Sequence, residues 1–279
     1  MKQHRTDIIS QRRYPTGLFV SGLVVLWLAV SMISWGCGAQ TAGTKMKYEA
    51  AFTGAVSSGT NVKEFTNKRG WTIQLESAEF LVGPLYFYAG EPRASLLQSW
   101  FGIGSAAACT THAQFDAGKI LGEVQEQVVV NLLSSSPTNL GTVAGVEGQM
   151  QSFELHLHPP GTLPSNGTPT STLGNSTVKM KGVAKKDGVS KTFVVDLVIP
   201  DTGTMRIVES IAADVALNSN SKGSGKLLLQ VYMDKWFTNV DFSTLTKENK
   251  DGVLLLDDEN IALLQGVRSR YSYNAKWSQ

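Results

Sequence analysis

Two cysteines, nine prolines and four histidines stand in 279 residues, and only 17% of the chain is charged. Two cysteines cannot staple a small disulfide scaffold. If Cys37 is lipidated, Cys109 stands alone; if it is not, an oxidising compartment allows a Cys37–Cys109 disulfide. The sequence has no GxSxG, no Walker A phosphate loop, no HExxH and no SxxK, so the familiar hydrolase, nucleotide and zinc-protease templates fail. "GIGSAAA" at 102–108 has glycines without the spacing of a dinucleotide fingerprint. No repeat of 20–50 residues is visible, which excludes solenoids and propellers.

The excess of positive charge is confined to the start. Residues 1–36 hold four of the 25 Lys and Arg but one of the 23 Asp and Glu, which leaves 21 basic and 22 acidic side chains beyond them. No broad positive field remains for nucleic acid. Lys2, Arg5, Arg12 and Arg13 precede the uncharged run "LFVSGLVVLWLAVSMI", and "SWGC" and "GAQTAG" follow. A basic start, an apolar run and a small-residue exit form an export signal. The run is shorter than the about 20 residues of a spanning helix, so an uncleaved anchor is the second choice. Gly36 and Cys37 match a bacterial lipoprotein box, whereas Ser34 and Trp35 depart from it. The expectation is a signal over 1–36, lipidation of Cys37, a tether over 37–47 and one domain over 48–279; cleavage near Ala39 is the alternative. This places the chain in the envelope of a Gram-negative bacterium, facing the periplasm or on the outer membrane, held by its lipid.

The rest of the chain reads as β. "KYEAAFTGAV" is a first strand. In "GWTIQLESAEFLV", Trp71, Ile73 and Leu75 alternate with polar residues, and the parity then shifts to Ala78, Phe80 and Val82. Such a slip predicts a bulge near Ser77. "GP" at 83–84 breaks the run and "LYFY" restarts it. Leu121, Val124, Val128 and Leu132 fit a helical stripe, whereas Val128–Val130 favours a strand, the reading adopted, with a short helical lead-in as the alternative start. "TVKMKGVAKKDGVSKTFVVDLVIPD" is a hairpin in sequence, with its turn at "KKDG". "RIVESIAADVAL" and "GKLLLQVYM" are expected to pair across "NSNSKGSG". "DDENIALLQGVRSRY" predicts a short helix, with acids at its start and Arg268 and Arg270 at its end. Eight or so strands with little helix predict an all-β, antiparallel β-sandwich or barrel-like fold, with long loops and a short C-terminal helix.

"FELHLHPPGTLP", 153–164, carries the sharpest chemical signal. Alternation sends Phe153, Leu155 and Leu157 inward and puts Glu154, His156 and His158 on the other face. Side chains two apart on a strand lie about 7 Å apart, near enough for two imidazoles to converge on one ion. His112, three residues after Cys109, is the candidate third ligand. Imidazole with thiolate or carboxylate suits copper or zinc. The competing reading is a solvated sheet surface. Asp257, Asp258 and Glu259 can form a carboxylate cluster or cap a helix, and Asp234 and Asp241 suit turns. Trp71, Trp100, Trp236 and Trp277, together with "LYFY", can line a sugar or lipid site or fill a core. Met180, Met205 and Met233 read as core filler.

The layout of "GWTIQLESAEFLVGPLYFY", "HLHPPG", "VKMKGVAKKDGVSKTFVVDLVI" and "LLLQVYMDKWFTNVDFSTL" resembles the MbnP-like group of secreted, β-rich proteins of Gram-negative bacteria. The resemblance covers most of 48–245 and implies a periplasmic, copper-associated role, in some members through a modified tryptophan. It carries over no individual site residue. Three functions follow as expectations: a metal-binding envelope lipoprotein, a structural or interaction lipoprotein that holds another envelope protein without metal, and a carbohydrate-active sandwich enzyme using an acidic pair.

Overall fold

The computed structural model describes residues 44–91, 119–161, 173–199, 206–218 and 225–278. All of them belong to one compact unit. The expected export signal, Cys37, Trp100, Cys109, His112 and Met205 lie outside the described residues.

The strands are β1 (Lys45–Ala55), β2 (Glu64–Thr66), β3 (Thr72–Val82), β4 (Leu85–Tyr88), β5 (Ile120–Val124), β6 (Val128–Asn131), β7 (Thr138–Val146), β8 (Gly148–His156), β9 (Val178–Lys186), β10 (Val189–Leu197), β11 (Ile207–Leu217), β12 (Lys226–Tyr232), β13 (Leu254–Leu256) and β14 (Tyr273–Ser278). One helical turn, α1 (Met233–Trp236), follows β12, and α2 (Ile261–Arg268) precedes β14. Sheet I has the order β14-β12-β1-β7. Sheet II has the order β13-β10-β9-β3-β2, with β6 also on β3. Sheet III has the order β11-β8-β4-β5.

Alternation explains the layers. In sheet I, Tyr48, Ala50 and Phe52 point inward from β1 and are buried. Phe52 meets Phe80 of sheet II with ring centroids 5.9 Å apart, and Tyr48 meets Phe87 of sheet III at 6.4 Å. Sheet I therefore packs against both other sheets, a sandwich whose second layer is split. Edges β11 and β14 lie together, as do β5 and β7, which gives the pairing of sheets I and III a barrel-like closure. The expected all-β class with a short C-terminal helix is the one observed.

The bulge falls between Leu75 and Ser77, where the parity shift put it. The β9–β10 hairpin turns at Asp187 and Gly188, with φ of 49° and 79°. Both central residues of such a two-residue turn need positive φ, which Asp-Gly tolerates.

Three expectations are revised. β11 and β12 do not pair: β11 lies on β8, and β12 sits between β1 and β14. Leu227, Leu229 and Val231 of β12 are fully buried, and β12 is held as an inner strand, parallel to β1 and antiparallel to β14. The fold is thus mixed rather than purely antiparallel, since β10 and β13 also run parallel. The helix start is capped not by its acids but by Asn260, whose Oδ1 accepts from the Leu263 N–H at 2.9 Å. Asp257 and Glu259 are held by Lys247, at 2.6 and 2.7 Å.

An aromatic core fills the end near α1. Trp236 meets Phe80 at 5.1 Å, Phe193 meets Phe242 at 4.9 Å, and Trp71 meets Phe242 at 5.5 Å. Trp71 and Trp236 are buried among these rings and line no sugar site. Asn67, 7% exposed, ties this core together. Its Nδ2 donates to the carbonyls of Phe237 at 3.1 Å and Val240 at 2.8 Å, and its Oδ1 accepts from the N–H groups of Arg69 and Trp71, both at 3.0 Å. Removing one side chain strands buried partners at about 1–3 kcal/mol each. Asn67→Ala is expected to lower stability by about 2–4 kcal/mol in urea unfolding. A loss below about 0.5 kcal/mol, the range of ordinary surface changes, would refute this role.

Candidate functional site

The candidate site lies on the outer face of sheet III. Leu85 and Phe87 of β4 stand opposite Leu155 and Phe153 of β8, and these four are buried on the inner face. The period of two then sends their neighbours outward. Tyr86 faces Glu154, and Tyr88 faces Ser152. On the other side Ile207 faces His156. Glu123 of β5 stands opposite Tyr86.

Beyond β8 the extended path continues for two residues. The His156 N–H donates to the Pro84 carbonyl at 2.9 Å, and the Leu157 N–H donates to the Arg206 carbonyl at 2.6 Å. Leu157 bridges Gly83. The buried Gln127 donates its amide N–H groups to the carbonyls of His158 at 3.4 Å and Pro159 at 3.2 Å. His158 is thereby held on the same face as His156.

The inward set, Phe153, Leu155 and Leu157, is as expected, each 1% exposed or less. The opposite face is not a solvated surface. Glu154 is 1% exposed, and the His156 side chain is 18% exposed. Glu154 Oε1 lies 2.5 Å from His156 Nε2, and Oε2 accepts from the Tyr88 hydroxyl at 3.3 Å. The Tyr86 ring meets His156 edge-on at 5.3 Å. The His156 and His158 rings stack, with centroids 5.6 Å apart and planes 21° from parallel.

The structure thus brings His156 and His158 together, while His112 lies outside the described residues. Among the described residues, no group of three or more His, Cys, Asp or Glu side chains is arranged to hold a metal ion. Among the described residues, these two imidazoles are the available histidine donors, and the Glu154 carboxylate is already engaged by one of them. Asp257 and Glu259 are held by Lys247, and two further acidic candidates are engaged elsewhere. Asp234 accepts from Ser57. Asp241 accepts from Ser243 and from the Trp71 indole, and those hydrogen bonds, the Ser243 hydroxyl first, lower its carboxyl to about 2.

The tyrosines of "LYFY" are read in the sequence only as possible lining of a sugar or lipid site, not as partners of Glu154 and His156. The signal was there: "LYFY" alternates as strictly as "FELH", and its tyrosines occupy the same face. Burial raises both phenols above their ordinary value. The Glu123 and Glu154 carboxylates add to this at Tyr86, and Glu154 adds to it at Tyr88.

No family model matches the chain. No curated protein matches it either. Among solved structures, MbnP from Methylosinus trichosporium is similar over 74% of this chain and 82% of its own, at 9% identity and a TM-score of 0.41. This is a likeness of strand layout and brings no site residue with it. Among the described residues, no helix is long and apolar enough to cross a membrane.

The raised phenols give a pH test. A buried tyrosine whose folded value exceeds its unfolded one stabilises the fold below about pH 10, and that contribution fades as pH rises through the folded value. In a spectrophotometric titration to about pH 11, Tyr88→Phe is expected to leave the phenolate amplitude of the folded chain at its wild-type level. An amplitude reduced by one tyrosine would sink the claim that burial keeps this phenol protonated.

Proposed function

We propose that this chain is an exported, lipid-anchored envelope protein that binds a copper or zinc ion through His156 and His158, with His112 as a further donor. The observation that carries the reading is the imidazole pair itself. Two histidines share one face at 5.6 Å, and one of them is hydrogen-bonded to a buried carboxylate. Histidines that ligate metals usually donate their other ring N–H to such a partner. Copper and zinc both accept imidazole nitrogen, with bonds of about 2.0–2.1 Å for zinc. Two such bonds span about 4 Å, within reach of these rings after a modest rotation.

One observation favours a second reading. Nearly parallel rings send their in-plane lone pairs side by side, not toward one point. A stacked pair of this kind also suits a packing role, in an envelope protein that uses its sheet surface to hold a partner without metal.

Elemental analysis separates the two. Purified mature chain is expected to hold about one copper or zinc ion, and the His156→Ala/His158→Ala double variant to hold none. His112→Ala is expected to weaken binding without abolishing it. Metal content unchanged in the double variant rejects the site; no metal in the wild type, together with a co-purifying envelope protein, favours the second reading.

Anchoring has its own test. Cells expressing the full chain and fed a labelled fatty acid should label it through Cys37, and Cys37→Ala should abolish the label. Equal labelling of both would remove the lipid anchor from the proposal.

A further inference from the structure

We infer that Glu154 is a positioning residue that fixes which nitrogen His156 presents; this rests on the metal-site reading for its purpose, though not for its geometry. A carboxylate at 1% exposure is costly to bury without hydrogen-bond donors. Here each oxygen has one. Tyr88 donates to Oε2 and His156 Nε2 lies against Oε1. The Tyr88 phenol stays protonated because burial and the Glu154 charge oppose its ionisation. It therefore remains a donor and holds the carboxylate in place.

The contact commits Nε2, not Nδ1, to Glu154. With Glu154 as an ionised carboxylate, which has only lone pairs to offer, Nε2 carries the N–H. In a neutral ring this puts the lone pair on Nδ1. The Tyr86 ring edge at 5.3 Å and the stacked His158 ring at 5.6 Å hold the imidazole plane from its other sides. His156 is thus oriented before any ligand arrives, with Nδ1 as its only acceptor. Sheet register produces this arrangement. Glu154 and His156 are two apart on β8 and share a face, and β4 sets its tyrosines against that same face.

The test is the tautomer, read directly. Long-range proton–nitrogen NMR correlation on the 15N-labelled mature chain, at a pH where the ring is neutral, is expected to show His156 as a single Nε2–H form. Glu154→Gln retains the shape but can donate as well as accept, so a mixture with the Nδ1–H form is expected. A wild-type ring that is Nδ1–H or doubly protonated overturns the inference, and so does a Glu154→Gln spectrum unchanged from wild type. The wild-type spectrum decides the point even if the variant fails to fold. In parallel, Zn2+ titration should give an affinity about 10–100-fold lower for Glu154→Gln. Unchanged affinity there would remove Glu154 from the metal's support. A wild type that takes up no Zn2+ or Cu2+ would reject the metal reading and leave the tautomer result standing on its own.

Discussion

The site depends on how the chain turns between β3 and β4. Gly83 has φ of 114°, and a Cβ there would collide with the Glu126 carbonyl oxygen. Only glycine takes this conformation and this closeness without strain. The turn lets one apolar run serve two sheets: β3 closes on β9 and β6, whereas β4 closes on β8 and β5. It also sets the parity of β4. A slip of one residue would exchange the faces of every side chain on the strand. Leu85 and Phe87 would turn outward, and Tyr86 and Tyr88 would enter the core. The meeting of Tyr88 with Glu154 is therefore a consequence of one backbone corner, built from a residue with no chemistry of its own.

Burial then decides which charged contacts matter. Lys181 and Glu76 lie 2.9 Å apart, but their side chains are 54% and 51% exposed. Such a surface pair contributes little, because water screens it and two flexible chains must be ordered. Glu154 and His156 lie at a similar distance in a nearly dry setting. There the hydrogen bonds are stronger, and an unmet acceptor costs more. The same physics makes Tyr88 a dependable donor, since the low polarity that strengthens its bond to Glu154 also opposes its ionisation. A polar cluster of this kind specifies geometry more than it adds stability.

Much of this fold was legible because alternation reports parity. The bulge at Leu75–Ser77, the Asp187–Gly188 turn and the inward set of β8 all follow from it. Partners were less legible. β12 and β11 each show a clear buried stripe, but a stripe does not name its neighbour, and proximity in sequence suggested a hairpin that the fold does not make. β14 was hidden behind a helix, although Tyr273, Ala275 and Trp277 alternate with Asn274 and Lys276 as in any strand. Glu154 was misread for a related reason. Parity assigns a side chain to the outer face of a sheet, but says nothing about whether that face is covered. A carboxylate preceding two histidines at alternate positions looked like surface, and only the tyrosines of a strand distant in sequence reveal why it is buried.

The histidines themselves are less symmetric than their spacing implies. Both sit at alternate positions of one extended segment, so sequence treats them as equal halves of a clamp. In the fold, His156 is held by the Glu154 carboxylate and by the Tyr86 ring edge. Any closure of the pair on one ion therefore falls to the His158 ring, which must turn out of its 21° stack while His156 keeps its plane. The strand cannot supply a third donor. The neighbouring positions of the same parity are Glu154, already bound to His156, and Pro160, which has no side-chain donor. A complete coordination sphere must draw on another segment of the chain, on solvent, or on a second protein. One imidazole held in its plane and a second stacked on it make the proposed site depend on a donor from beyond this strand.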